Sequence, residues 1–230
     1  MSRREELAER LAVVEERIDA ACAAAGRPRE DVTLVVVTKT YPASDVELLA
    51  GLGVSDVGEN RHPEAGDKAE EVRADLRWHF VGGLQTNKAG AVSRYADVVQ
   101  SLDRVKLARS LSRGAQAAGR EVGVMIQVDF DGTDPGRAGT APDDVSALAD
   151  VAAELPGLRL DGLMTVAPLG VDPRPVFDRL AGLAERVRAD HPGARALSAG
   201  MSEDFEDAVA AGATHLRIGR AVLGERPVLG

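Results

Sequence analysis

The sequence has few of the residues that several classes of site require. Its 230 residues include one cysteine, Cys22, which excludes an internal disulfide and a two-cysteine redox or metal motif. Aromatic residues make up only 3% of the chain, which disfavours stacking platforms for single-stranded nucleic acid. The four histidines show no metal-ligand spacing. Motifs of serine hydrolases, Walker-type nucleotide sites and dinucleotide sites are also missing.

Excess positive charge and long apolar runs are missing as well. The chain has 28 Lys and Arg residues against 37 Asp and Glu residues, a formal net charge of −9. This balance disfavours nucleic acids and anionic membranes as partners, since both bind basic surfaces. No apolar run approaches the roughly 18 residues of a membrane span, and residues 1–6 lead into no signal-type apolar core. We therefore expect a cytoplasmic protein that binds neither nucleic acid nor membrane.

Strand and helix patterns alternate along the rest of the chain. Residues 2–25 read as a helix whose apolar stripe includes Cys22, a thiol that we expect to be buried. The predicted strands cover residues 32–39, 56–60, 78–82, 97–103, 121–130, 159–167, 194–200 and 215–222. The predicted helices between them cover 43–51, a charged segment that ends at 76, then 87–94, 104–118, 142–155, 173–190 and 202–211.

Eight strands, each but the last clearly followed by a helix, predict a parallel sheet with helical crossovers. The spacing of roughly 25 residues per unit is at the low end for a (β/α)8 barrel. An open, doubly wound sheet is the alternative, but eight units and the lack of a Gly-rich fingerprint after the first strand favour the barrel. We predict a single α/β domain over residues 1–230, a TIM-type barrel with an extra helix in residues 1–28 packed on it.

Lys39 is the most informative polar residue at the strand ends, where barrels of this kind carry their active sites. A lysine that closes an apolar strand is costly unless its amine has a partner or loses its charge. Desolvation, or a nearby cation such as Arg217, would lower the pKa of the amine, and Schiff-base chemistry requires the neutral form. The alternative is an amine that extends out of the barrel mouth, and Lys39 alone does not exclude it.

Two late segments predict a phosphate site. Ser202 stands at a predicted helix start, where free N–H groups can bind phosphate, although it could also only cap the helix. Gly219 lets the backbone approach a ligand closely, and Arg217 lies on the same face of the last strand. An amine, a phosphate cradle and a cation on one rim together predict pyridoxal 5′-phosphate (PLP) as the cofactor.

Other polar residues are weaker candidates. His79 and Trp78, on the third strand, could pack or contact a ligand. Glu59 and Asn60 could orient the lysine or bond to neighbouring loops. The acidic run over residues 64–71 predicts a solvated helix face.

Five motifs occur in the order found in a known family. They are Val-Val-Thr-Lys39-Thr, Gly58-Glu-Asn60, Trp78-His-Phe-Val-Gly-x-Leu-Gln-x-Asn-Lys88, Gly200-Met-Ser-x-Asp204-Phe-Glu206 and Arg217-Ile-Gly-Arg220. Together they resemble the PLP homeostasis proteins, which are related to the N-terminal barrel of alanine racemase. The match covers nearly the whole chain.

The resemblance implies that PLP is held as an internal aldimine on Lys39. It implies that Ser202 binds the phosphate by its hydroxyl and amide, and that Gly219 and Arg220 add backbone N–H groups. It also implies that Arg217 faces the pyridine nitrogen.

The same resemblance places Asn60 near the lysine or the ring. It implies a carrier that regulates vitamin B6 pools. We expect PLP and PLP-dependent enzymes as partners, and a monomer or weak dimer. The sequence departs from the family pattern in Arg61–Glu64, at Gly83, in the loop Asp131–Gly139, and at Arg220, where a small residue is common.

The alternative is an enzyme, such as an amino-acid racemase. Racemisation needs a second acid/base on the other face of the cofactor, which alanine racemase takes from an added domain, and 230 residues leave no room for one. A permanently cationic Arg217 would also donate to an unprotonated ring and weaken it as an electron sink. We therefore expect no strong turnover. A third possibility is a barrel that binds another phosphorylated metabolite and no PLP.

Overall fold

The computed structural model describes residues 1–132, 138–168 and 170–225, and its eight strands close into a parallel barrel. The strands are β1 Thr33–Val37, β2 Asp56–Glu59, β3 Arg77–Phe80, β4 Val98–Leu102, β5 Val122–Gln127, β6 Leu158–Met164, β7 Ala196–Ser198 and β8 His215–Ile218. Each strand pairs with the next, and β8 closes the barrel on β1, with Arg217 opposite Val35. The barrel prediction is confirmed, and the open sheet is excluded.

Nine α-helices lie in the described residues, one before the barrel and one after each strand. They are α1 Arg3–Ala24, α2 Ala43–Ala50, α3 Glu64–Glu71, α4 Ala89–Val92, α5 Val105–Ala117, α6 Val145–Glu154, α7 Arg174–Asp190, α8 Phe205–Ala210 and α9 Arg220–Leu223. Two predictions extend beyond the described residues. The loop predicted to be atypical includes residues 133–137, and the predicted domain includes residues 226–230, and both ranges lie outside the described residues.

Several predicted boundaries are wrong, and three of them show why. The helix predicted to end at 76 ends at Glu71, and the helix predicted from 202 begins at Phe205. The strand predicted over 215–222 ends at Ile218, and the apolar residues that follow it form α9. Short apolar runs do not distinguish a strand from a helix, because the deciding contacts come from distant elements.

The N-terminal helix α1 packs against α8 and α9. Its first turn is closed by a capping box in which Ser2 and Glu5 bond to each other's backbone N–H groups. The buried face consists of Leu7, Leu11, Val14, Ile18 and Cys22. Burial of an apolar side chain of this kind contributes about 1.5–3 kcal/mol, so this face holds α1 on the outside of the barrel.

Candidate cofactor site

A cavity of about 500 Å³ lies at the carboxyl ends of the strands. Its lining includes all six residues predicted to contact the cofactor, namely Lys39, Asn60, Ser202, Arg217, Gly219 and Arg220. These residues follow or end β1, β2, β7 and β8, whose carboxyl ends the parallel barrel brings to one rim. The cavity therefore combines an amine, a hydroxyl and two guanidinium groups.

A larger and more open crevice, of about 900 Å³, lies at the amino-terminal ends of the strands. Its charged side chains pair with one another, as in the contacts of Arg159 with Glu121 at 2.8 Å and with Asp161 at 2.6 Å. In this fold the amino-terminal face contributes to stability, whereas ligands bind at the carboxyl face. We therefore place the functional site in the smaller cavity.

Lys39 lies in the turn that follows β1, two residues after the strand ends at Val37. The next residue, Thr40, has a φ of +70°. This left-handed conformation is rare for a β-branched residue and costs about 1–3 kcal/mol, so the surroundings must hold it. The N–H of Thr40 donates to Glu64 Oε1 at 3.0 Å. The turn that carries Lys39 is therefore fixed by a contact from α3.

A buried ion pair beside this turn was not predicted from the sequence. Lys68 donates from Nζ to Glu59 Oε1 at 2.6 Å and to the carbonyl of Thr38 at 3.0 Å. Burial raises the pKa of Glu59, and the charge of Lys68 opposes this shift. The prediction of a solvated face over residues 64–71 is thus wrong for Lys68. Lys68 lies three residues after Ala65, so the two share one face of the helix, and both are buried. This spacing is the feature of the sequence that could have indicated the burial of Lys68.

Arg217 is 5% exposed and points into the barrel, where it lines the cavity. Its Nη1 donates to Ser198 Oγ at 2.5 Å, and its Nη2 donates to the carbonyl of Thr165 at 2.7 Å. Burial lowers the pKa of the guanidinium to about 10, against the attraction of Asp204. Arg217 therefore remains a cation at neutral pH, in an orientation fixed by Ser198 on β7 and by Thr165, the residue that follows β6.

A chain of hydrogen bonds continues from Arg217 through the barrel interior. Ser198 Oγ donates to Gln100 Oε1 at 2.7 Å, and Gln100 Nε2 contacts His79 Nδ1 at 2.9 Å. His79 Nε2 lies 2.8 Å from Asp56 Oδ1. Burial of Asp56 opposes ionisation, yet the contacts with His79 and Ser55 lower its pKa overall. His79 thus belongs to a buried network and not to the cavity lining.

The loop after β7 places Ser202 at the cavity. Gly200 has a φ of +90°, and a Cβ there would lie 2.8 Å from Ala208 Cβ, so the turn requires glycine. Asp204 precedes α8 and accepts from the N–H of Met201 at 2.6 Å. Burial raises the pKa of Asp204, and this hydrogen bond opposes the shift. Ser202 therefore lies within the turn, and the interpretation of it as a helix cap is wrong.

Gly219 and Arg220 line the same cavity. A Cβ at Gly219 would lie 3.1 Å from the carbonyl oxygen of Val37, so β8 approaches β1 closely there. Arg220 begins α9, and its Nη2 donates to Glu203 Oε1 at 2.9 Å, where Glu203 also lines the cavity. This ion pair is exposed, so it leaves the guanidinium accessible to a competing anion.

Asn60 follows β2 and packs against the loop after β3. A Cβ at Gly82 would lie 2.3 Å from the carbonyl oxygen of Asn60 and 2.8 Å from its Cα. Any side chain at position 82 would therefore displace Asn60 from the cavity wall.

Comparison with known proteins places the chain in a family. Residues 10–227 match the family described as the alanine racemase N-terminal domain. A pyridoxal phosphate homeostasis protein of Mycobacterium tuberculosis is 41% identical to this chain, in an alignment that covers 97% of this chain and 94% of that protein. The chain belongs to the pyridoxal phosphate homeostasis protein family. The resemblance inferred from the five sequence motifs is confirmed.

Two solved structures are similar to this chain in fold. PipY of Synechococcus elongatus, solved with PLP bound, has a TM-score of 0.83 and 33% identity, and the match covers 95% of this chain and 100% of PipY. Alanine racemase of Corynebacterium glutamicum has a TM-score of 0.69 at 16% identity, with coverage of 99% of this chain and 63% of the racemase. At that identity the racemase supports the shared barrel fold alone.

The described residues also bear on other kinds of site. Among residues 1–132, 138–168 and 170–225, no three His, Cys, Asp or Glu side chains lie where they could hold a metal ion. No helix in the same ranges is long and apolar enough to cross a membrane.

Proposed function

We propose that this family member holds PLP in the cavity at the carboxyl ends of the strands and serves intracellular vitamin B6 homeostasis. The observation that carries the proposal is the convergence of Lys39, Ser202 and Arg217 on one cavity of about 500 Å³. The PLP bound in the PipY structure supports it. PLP supplies an aldehyde that bonds reversibly to an amine, and a ring that withdraws electrons.

The residues of the cavity fit the three polar parts of PLP. Lys39 supplies the amine for the aldehyde. Arg217, held by its two hydrogen bonds, supplies an N–H donor for the ring nitrogen. Ser202 supplies a hydroxyl for the phosphate, and Gly219 and Arg220 supply backbone N–H groups at the start of α9, where helical N–H groups have no intrahelical acceptor.

We further propose a carrier role without strong catalysis. A guanidinium that stays charged at neutral pH cannot take up a proton, so Arg217 donates to an unprotonated ring nitrogen and leaves the ring a weak electron sink. Asn60 lines the same cavity as Lys39. We propose that PLP-dependent enzymes receive the PLP that the protein carries. We also propose that the protein is cytoplasmic and is a monomer or a weak dimer.

The visible absorption spectrum of the purified protein tests PLP binding directly. We expect a yellow protein, or an apoprotein that turns yellow when PLP is added. A protein that stays colourless with added PLP would instead favour another phosphorylated ligand in the same cavity.

Replacement of Ser202 with alanine should weaken PLP binding by about 1.5–3 kcal/mol, because one charge-assisted hydrogen bond to the phosphate is lost. This corresponds to roughly a 10- to 150-fold higher Kd. Equilibrium dialysis with PLP measures the change. Ser44→Ala, an exposed serine on α2 outside the cavity lining, is the matched control and should bind as the wild type does.

Arg220→Ala should have a smaller effect than Ser202→Ala, because the proposed contact of Arg220 uses its backbone N–H. The ion pair with Glu203 that the variant also loses is exposed and contributes little. A larger loss of affinity in Arg220→Ala than in Ser202→Ala would mean that the guanidinium itself binds the phosphate.

A further inference from the structure

Helix α3 contacts both peptide groups that flank Lys39. Lys68 Nζ donates to the carbonyl oxygen of Thr38 at 3.0 Å, and this carbonyl belongs to the peptide group before Lys39. Glu64 Oε1 accepts from the N–H of Thr40 at 3.0 Å, and this N–H belongs to the peptide group after Lys39. Two side chains one helical turn apart therefore hold the backbone on both sides of a single residue.

The contact from Lys68 is anchored by buried charge. Its side chain is 6% exposed and that of Glu59 is 1% exposed, with Nζ and Oε1 at 2.6 Å. Thr38 Oγ1 donates to the same Oε1 at 2.6 Å, whereas Oε2 of Glu59 is buried without a partner among the described residues. A shift of Lys68 would leave a buried carboxylate without its counter-charge, which is strongly unfavourable. The position of Thr38 is therefore firmly fixed.

The contact from Glu64 holds a strained residue. Thr40 has a φ of +70°, and its hydroxyl is buried without a partner in the described part of the chain. A β-branched residue keeps a left-handed conformation only when its surroundings impose it. The carboxylate of Glu64, which also lies 3.7 Å from Lys68 Nζ, supplies that constraint through the Thr40 N–H.

We propose that Glu64 and Lys68 are positioning residues, which hold the turn so that Lys39 is preorganised for the covalent capture of PLP. In that capture the neutral amine nitrogen of Lys39 forms a C=N bond with the aldehyde carbon, and the aldehyde oxygen leaves as water with the two amine protons. The inference rests on the proposed function of Lys39. It assigns to α3 a role that is separate from phosphate binding by Ser202.

The Glu64 contact is tested with two ligands. Glu64→Ala apoprotein should capture PLP about tenfold more slowly than the wild type, because the amine is no longer held in place. Glu64→Gln keeps an oxygen acceptor for the Thr40 N–H and should restore the rate. Pyridoxine 5′-phosphate has an alcohol in place of the aldehyde, so its affinity should be the same in all three proteins. Glu71→Ala, an exposed residue of the same helix, is the matched control.

The Lys68 contact requires a double variant, because Lys68→Met alone leaves Glu59 as a buried unpaired charge. Glu59→Gln combined with Lys68→Met removes both charges and keeps an acceptor for the Thr38 hydroxyl. This variant should also capture PLP about tenfold more slowly, with unchanged affinity for pyridoxine 5′-phosphate. Thermal unfolding of each variant verifies that the barrel is folded at the assay temperature.

The outcomes separate this inference from the proposed function. Failure of the wild type to capture PLP on Lys39 contradicts the proposed function itself. Capture at the wild-type rate by both Glu64→Ala and the double variant, in a wild type that does bind PLP, overturns the positioning role. So does an equal loss of affinity for pyridoxine 5′-phosphate, because it would reveal a general distortion of the cavity. Slow capture with rescue by Glu64→Gln supports the role.

Discussion

Replacement of Lys39 with alanine is expected to abolish the covalent attachment of PLP while the barrel still folds. Lys39 lies in the turn after β1, outside the strands and helices, so the substitution removes no hydrogen bond of the barrel ladder. It does remove the amine from the cavity that Arg217 and Asn60 also line. Reduction with borohydride followed by peptide mass mapping should find one pyridoxyl group on Lys39 of the wild type and none in Lys39→Ala.

The other lysines provide the control for this result. Lys88 and Lys106 do not line the cavity, so Lys88→Ala and Lys106→Ala should keep the full yield of label on Lys39. Residual noncovalent binding of PLP to Lys39→Ala is expected, since the proposed phosphate contacts remain. A wild type labelled on Lys88 or Lys106, with no label on Lys39, would contradict the assignment of the amine.

The fold could be predicted from the sequence because each strand has its own local signal. The β-branched run before Lys39 predicts a buried parallel strand, and β1 spans Thr33–Val37 within it. Eight such units have few alternatives to a closed barrel. The chain after β8 was predicted wrongly because Ala221, Val222 and Leu223 are apolar residues that suit a strand or a helix. Their packing in α9, not their sequence, decides between the two.

The cavity residues could be predicted because parallel strands bring their carboxyl ends together. Lys39 and Gly219 are far apart in sequence, yet each follows a strand end, and the topology of the barrel places both at one rim. This reasoning needs only the order of the strands. It is therefore insensitive to errors of a few residues in the strand boundaries.

The residues that support the cavity could not be predicted in this way. Ser198 on β7 contacts Gln100 on β4, and the two strands are not neighbours in the sheet. Their contact depends on which side chains point inward and at which height, so a shift of one residue removes it. The burial of Lys68 likewise depends on how α3 packs against the end of β1. Strand order does not determine that packing.

The hydrogen-bond chain beneath Arg217 bears on the choice between carrier and enzyme. Ser198 accepts from Arg217 and donates to Gln100, so the guanidinium is held by a buried network that ends at Asp56. Rotation of Arg217 away from the cavity would break this network and leave buried polar groups without partners. Arg217 is therefore a fixed cation at the proposed position of the ring nitrogen.

The wild type is accordingly expected to exchange the α-proton of L-alanine in deuterated water far more slowly than about 1 s⁻¹, the low end of ordinary enzyme turnover. A ring nitrogen beside Arg217 stays unprotonated, so it stabilises negative charge at a substrate carbon poorly. Nuclear magnetic resonance measures the exchange for alanine and other amino acids, with Lys39→Ala as the background. Exchange at about 1 s⁻¹ or faster that requires Lys39 would overturn the carrier proposal in favour of a racemase-like enzyme.

Arg217→Glu tests the electronic part of this argument. A carboxylate favours protonation of a nearby ring nitrogen, so the absorption spectrum of bound PLP should shift relative to the wild type. Arg217→Lys keeps a cation at the same position and should leave the spectrum unchanged. Neither variant has the guanidinium that donates to both Ser198 and Thr165, so a difference between them reports mainly the sign of the charge. Identical spectra in Arg217→Glu and Arg217→Lys would mean that Arg217 does not face the ring nitrogen.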